Sequence, residues 1–257
     1  MTIRLNRDER GLATVTLDRP EKRNALTLEM FRRFGEIMVD LDADDDVRCV
    51  LVRGAGGHFC AGSDIGDFGE NREGKAKVRE YAEFTVRMTD TLKHCRHPTV
   101  AQIEGVCVGG GLEIAALCDV RIASASSRYG IPVNRIGLTV DYRELEDLIS
   151  LVGHSVALEI LIEGNIFDAG EALSKGLLTR VVSDDRLAAS VEETVGRIVN
   201  GAPLVNRRHK AFVRRLRSSE PVSAVEFDEA YACFDSEDYR IGRAAFANKS
   251  KPVFVGR

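Results

Sequence analysis

Three consecutive glycines, Gly109, Gly110 and Gly111, stand between an apolar strand-like run, Thr99-Val100-Ala101-Gln102-Ile103, and an Ala/Leu/Ile-rich helical run from Leu112 to Leu117. This order of strand, glycine turn and buried helix constrains the fold more tightly than any other feature of the chain. Glycines let another backbone or a ligand approach without a Cβ in the way. The first amides of a helix have no intrahelical acceptor and lie at the positive end of the macrodipole, so they suit a developing negative charge. One turn into the helix stands Glu113, a carboxylate in an apolar run, where burial penalises the charge unless something uses it. A tight turn with a capping glutamate would give the same pattern. Two named motifs are excluded: a dinucleotide fingerprint from Gly109 needs glycine where Ile114 stands, and a phosphate loop from Gly105 needs lysine where Gly111 stands. What remains is an oxyanion hole with an acid/base beside it.

The chain has 257 residues, enough for a substantial core, and a formal net charge of -4, which argues against a nucleic-acid partner. No apolar run approaches the roughly 18 residues of a membrane span, and Met1-Thr2-Ile3-Arg4-Leu5 lacks a signal-peptide core, so a cytoplasmic protein is expected. The six cysteines form no C-x-x-C pair and fall mostly in apolar runs, the pattern of reduced, buried thiols. With no H-E-x-x-H and no Cys/His cluster, no metal is indicated.

Taken in order, Ile3–Leu5 and Leu12–Leu17 read as a hairpin, and Thr27 as the N-cap of a helix to about Leu41. Val47–Val52 reads as a strand buried on both faces, as in a parallel sheet. A second glycine-rich loop, Gly54 to Ile65, follows it, so two such loops are expected at corresponding ends of neighbouring strands, where ligand sites of parallel sheets collect. Residues 66–77 are polar and expected over the site; 78–95 have helical spacing. Leu145–Val152 and Val156–Ile162 read as helices flanking Gly153, and Leu178–Val182 as the last clear strand. From Leu187 to Ala247 the pattern is almost wholly helical, which divides an α/β core, residues 1–200, from a helical region, residues 201–257.

The chain resembles the crotonase (enoyl-CoA hydratase/isomerase) superfamily. The matching pieces are Arg19-Pro20-x-x-Arg23-Asn24-Ala25-Leu26, Phe59-Cys60-Ala61-Gly62-Ser63-Asp64-Ile65, Gly105-x-x-x-Gly109-Gly110-Gly111-Leu112-Glu113, Cys118-Asp119, Ala172-x-x-x-Gly176-Leu177 and Ala245-Phe246-x-x-Lys249-x-Lys251-Pro252. Each is weak alone; six in the right order are strong. The resemblance implies a spiral of ββα units with a C-terminal helical region, assembled as trimers that often pair into hexamers. It implies an acyl-CoA thioester as substrate, with coenzyme A as part of the substrate rather than a separate cofactor. The thioester oxygen would become an enolate held by the backbone amides of Ser63 and Gly110. Glu113 would be the acid/base. Coenzyme A contacts would come from Lys22, Arg23, Ala25, Ala61, Asp64 and Ile65, and from Phe246 with Lys249, the last two sometimes reaching a neighbouring subunit.

The chain also departs from that pattern. Where hydratases of the family carry a second glutamate after the proline matching Pro132, this chain has Val133, and the family's Gly-Ala-Gly-Gly stretch is replaced by Asp141-Tyr142-Arg143-Glu144-Leu145-Glu146. Asp141 falls where dienoyl-CoA isomerases of the family place an active-site aspartate. With Glu113 it would make a carboxylate pair for removing a proton at one carbon and returning one at another; as N-cap of the next helix it would have a purely local role. Double-bond isomerisation is therefore expected over simple hydration. The alternatives are acyl-CoA hydrolysis at a thioester or C–C bond, or a catalytically silent coenzyme A- or RNA-binding member. Phe68, Tyr81, Phe84, Val133 and Tyr142 are the expected walls of an apolar acyl pocket.

Overall fold

A computed structural model of the protein describes residues 2–67 and 74–257. Strands β1 (Ile3–Arg7) and β2 (Leu12–Leu17) form the expected antiparallel hairpin, Ile3 opposite Leu17. β2 then pairs in parallel with β3 (Cys49–Gly54), β3 with β4 (Thr99–Ile103), β4 with β6 (Val120–Ser124), and β6 with β9 (Arg180–Val182). A second, smaller sheet of β5 (Val106–Val108), β7 (Arg128–Gly130) and β8 (Phe167–Asp168) stands beside it. This α/β architecture is the ββα arrangement expected from the sequence, although the small sheet itself is not apparent there.

Helix α1 (Leu28–Ala43) begins where Thr27 accepts a hydrogen bond from Met30 N, and it buries Met30, Phe31, Phe34, Ile37, Met38 and Leu41 at helical spacing. It packs against α2 (Gly74–His94). The polar stretch 66–77 is thus already helical from Gly74, and residues 68–73, with Phe68, lie outside the described residues. α3 (Gly110–Leu117) follows the glycine turn. α4 runs from Tyr142 to Glu163 as two helical halves joined across Gly153, whose φ of 79° and ψ of 166° break the helix there. α5 (Ala169–Ser174) leads to β9.

The other face of the large sheet is covered by α6 (Leu187–Val199), whose Leu187, Val191, Val195 and Val199 meet Leu12, Cys49, Leu51, Val100 and Ile122. α7 (Pro203–Arg215) is attached differently, by long cations reaching chain carbonyls. Arg207 donates to Asp45 O at 2.8 Å, and Lys210 donates to His97 O and pairs with Asp119, each at 2.6 Å. α8 (Ala224–Tyr231) and α9 (Glu237–Ala247) complete the tail and leave Val225, Phe227, Tyr231 and Phe246 exposed.

Candidate active site

The two glycine loops meet at the carboxyl end of β3 and β4. Cys60 N donates to Val106 O at 2.9 Å and Val108 N returns to Cys60 O at 3.0 Å, which fastens the first loop to β5. On its other edge the loop pairs with Leu26: Leu26 N donates to Gly62 O and Asp64 N to Leu26 O, both at 2.8 Å. Successive amides of an extended segment alternate in direction. With Gly62 O and Asp64 N turned to Leu26, the Ser63 N–H faces the opposite way, towards the glycine turn. A Cβ added to Gly110 would lie 3.8 Å from Ser63 N, and one added to Gly62 would lie 3.4 Å from Gly110 N. Gly110 opens α3, so its amide belongs to the set for which a helix provides no acceptor. Two backbone donors from different loops therefore border one small space, the arrangement that can hold an oxyanion.

The glycines make this approach possible. Gly109 adopts φ 54° and ψ -126°, which a side chain would oppose, and a Cβ on Gly111 would meet Cys60 O at 2.3 Å. Asn24, fully buried, fastens the first loop to the turn of Arg19: its Nδ2 donates to Ala55 O at 2.9 Å and His58 O at 2.7 Å, while its Oδ1 accepts from Arg19 N at 2.9 Å. The Arg19 guanidinium donates to Asp64 Oδ2 at 2.6 Å and Gly66 N donates to Asp64 Oδ1 at 2.9 Å. The first of these contacts above all keeps the Asp64 carboxyl below its usual range. Asp64 is placed as a brace. Arg121 caps the other end of α3, donating to Leu177 O at 2.8 Å and to the Cys118 and Ala116 carbonyls. Sequence reading gave Asn24 and Arg121 no role. An arginine inside an apolar strand was the available signal for the second.

A cavity of about 670 Å³ opens beside the two amides, within the range of small-molecule sites. Ala61, Ser63, Ile65, Tyr81, Gly110, Glu113 and Val133 line it, together with Val140, Asp141, Glu144, Asp147 and Leu148 from the start of α4. Glu113 is half-buried, on the helix that carries the Gly110 amide. Asp141 is the N-cap of α4: its Oδ1 accepts from Arg143 N at 2.8 Å, its side chain pairs with the Arg143 guanidinium at 3.4 Å, and Glu144 returns the reciprocal bond to Asp141 N. These bonds hold the Asp141 carboxyl below its ordinary range, the backbone contact contributing most.

Other expected site residues are spread more widely. Tyr142 does not line the cavity. It is 90 % exposed, because it stands on the opposite face of α4 from the stripe of Asp141, Glu144 and Leu148, so its assignment to the acyl pocket is corrected. Phe84 packs against the core rather than lining the cavity. Lys22 and Arg23 lie exposed on the turn before Leu26, with Ala25 half-buried behind them. Phe246, 90 % exposed, and Lys249 do not line the cavity of their own chain. Burial pushes the Cys60 thiol up to about 12 and its sulfur faces Asn24 O at 3.2 Å, which argues against a thiol nucleophile.

Residues 7–257 match the family model described as Enoyl-CoA hydratase/isomerase. A short-chain-enoyl-CoA hydratase of Clostridium acetobutylicum is 31% identical over 246 residues, covering 95% of this chain and 94% of the relative. Among solved structures, an enoyl-CoA hydratase/carnithine racemase from Magnetospirillum magneticum matches with a TM-score of 0.98 at 44% identity, over 100% of this chain and 96% of that one. The enoyl-CoA hydratase of Mycobacterium smegmatis matches at 0.91 and 26% identity, over 99% of each chain. The chain therefore belongs to the enoyl-CoA hydratase/isomerase family, and its fold is the crotonase fold.

Proposed function

We propose that the protein acts on an acyl-CoA thioester through an enolate held by the Ser63 and Gly110 amides, and that it shifts a double bond in preference to adding water. The observation that carries this reading is the cavity wall: Val133 stands in the same cavity as Glu113 and the two amides. A valine side chain has no acceptor, so it cannot orient an attacking water as a carboxylate would. Glu113 moves a proton at the carbon next to the thioester, and the amides stabilise the oxygen as it gains charge, more in the transition state than in the substrate. The second proton is handled by a carboxylate of the first turn of α4, where Asp141 and Glu144 stand. Coenzyme A would lie along Ala61 and Ile65 towards Lys22 and Arg23, with Phe246 and Lys249 supplied by a neighbouring subunit of a trimer or hexamer.

The test is a panel of 2-enoyl- and 3-enoyl-CoA thioesters incubated in deuterium oxide, with products read by mass spectrometry. Double-bond migration with deuterium uptake and slow hydration of crotonyl-CoA are expected. Glu113→Gln should lower turnover by at least about 100-fold, and Val133→Glu should raise hydration. Fast hydration by the wild type without migration would reverse the order of the two activities.

A further inference from the structure

We infer that Asp147 reads the far end of the acyl group, and that the group carries a hydroxyl there instead of ending in plain hydrocarbon; this rests on the reading of the cavity as an acyl-CoA site. The cavity follows two helices, lined on α3 by Gly110, Glu113 and Ala116 and on α4 by Asp141, Glu144 and Asp147. Each set recurs every three residues on one helix face and spans about 9 Å. Along α4 the side chains are less exposed with distance from the first turn, 42% at Asp141 but 14% at Asp147, and the next residue, Leu148, is buried. On α2 the last lining residue is Thr85, and Lys93, the partner of Asp147, stands about 12 Å further along the helix. Asp147 therefore closes the inner end of the cavity.

Its carboxylate is held by one atom. Lys93 Nζ lies 2.7 Å from Oδ1, and Arg217, just beyond α7, lies 3.5 Å from the same oxygen. Among the described residues no hydrogen bond or ion pair reaches Oδ2. An ionised carboxylate accepts through both oxygens, so Asp147 brings a fixed acceptor to a cavity whose neighbouring walls, Phe31, Leu112 and Leu148, are apolar.

Three kinds of acyl end fit this acceptor poorly. A hydrocarbon would strip water from a charged oxygen and return no hydrogen bond. A carboxylate would meet Glu113, Asp141, Glu144 and Asp147, while among the described residues no lysine, arginine or histidine lines the cavity. An ammonium would add a third cation beside the two that already hold Asp147. A hydroxyl is neutral and donates one hydrogen bond, which is what Oδ2 lacks.

Calorimetry with saturated coenzyme A thioesters tests this without any reaction. Hexanoyl, octanoyl and decanoyl chains are compared, each with a plain, hydroxyl, methoxy or amino terminus. At the length that reaches Asp147, the hydroxyl form should bind at least about tenfold more tightly than the plain form, the range of a hydrogen bond to a charged group. The methoxy form, which has no donor, should bind no better than the plain one. Asp147→Leu, checked for its fold by circular dichroism, should bind plain and hydroxylated thioesters alike; the wild-type comparison decides even where this variant fails to fold. Equal binding of plain and hydroxyl forms at all three lengths overturns the assignment and leaves the acyl-CoA reading standing. A methoxy form as tight as the hydroxyl form, an amino form that is tighter, or a preference retained in Asp147→Leu also overturns it. If no thioester binds, the acyl-CoA reading falls, and the assignment with it.

Discussion

His97 shows how one buried side chain sets a pH dependence unrelated to the chemistry. It is fully buried at the end of the turn before β4, with Nε2 2.9 Å from Leu41 O, and among the described residues its Nδ1 has no partner. Burial, and then the nearby Arg207 and Arg96, lower its pKa from 6.5 to about 4, so the folded protein keeps it neutral. The unfolded chain takes up the proton below 6.5 while the folded chain does not until about 4. The full stability is thus present above pH 6.5 and declines as pH falls through that window. At pH 5 the loss amounts to on the order of 2 kcal/mol. Urea unfolding at pH 7.5 and 5 should show this decline in the wild type and a flatter profile in His97→Gln.

At the scale of elements, the site depends on how closely α3 can lie against the loop of Cys60–Ser63. The Cβ that Gly111→Ala would introduce meets Cys60 O at 2.3 Å and Cys60 Cβ at 2.7 Å, and a backbone carbonyl cannot rotate away as a flexible side-chain end can. The helix must shift, which costs about 1–3 kcal/mol in a packed interior. The same shift separates the Gly110 amide from the Ser63 amide, and a displacement of about 1 Å can cost about 100-fold in rate. Gly111→Ala should therefore lose at least tenfold in turnover, a larger loss than its fall in melting temperature alone would suggest. A fully active, less stable variant would show that the spacing of the two amides is not limiting. The hairpin, the Thr27 cap and the two loops beside β3 and β4 were legible from local periodicity and capping. The strands of the small sheet were not: they have three, three and two residues, and their pairing joins Val106 to Arg128 and Tyr129 to Phe167, too short and too distant for any local pattern.

On the scale of the whole molecule, α6 belongs to the core by apolar contact, whereas the tail beyond it is fastened by cations and keeps an apolar surface. Val225 is 70% exposed, Tyr231 63% and Phe246 90%. A chain that carries aromatic side chains in this way is expected to cover them with further copies of itself, and closed rings are the usual solution for a soluble oligomer. Light scattering should give three or six times the mass of one chain, and Phe246→Ala should weaken coenzyme A binding without dissociating the assembly. A monomer would contradict the shared-site arrangement.

By itself the sequence determined the α/β order, the buried thiols, the glycine turn that can form an oxyanion hole and Glu113 beside it, because each follows from local composition and spacing; the valine at 133 stood out only through the resemblance to the family. Only the tertiary structure decided that Tyr142 points away from the cavity while Glu144 faces it, that Asp141 is bound to Arg143, and that Asn24 and Arg121 hold the site from outside. The reason is that the facing of a helix, and the carbonyls that a buried polar side chain reaches, are fixed by neighbours far away in the chain. For Asn24 these are Ala55 and His58, and for Arg121 they include Leu177.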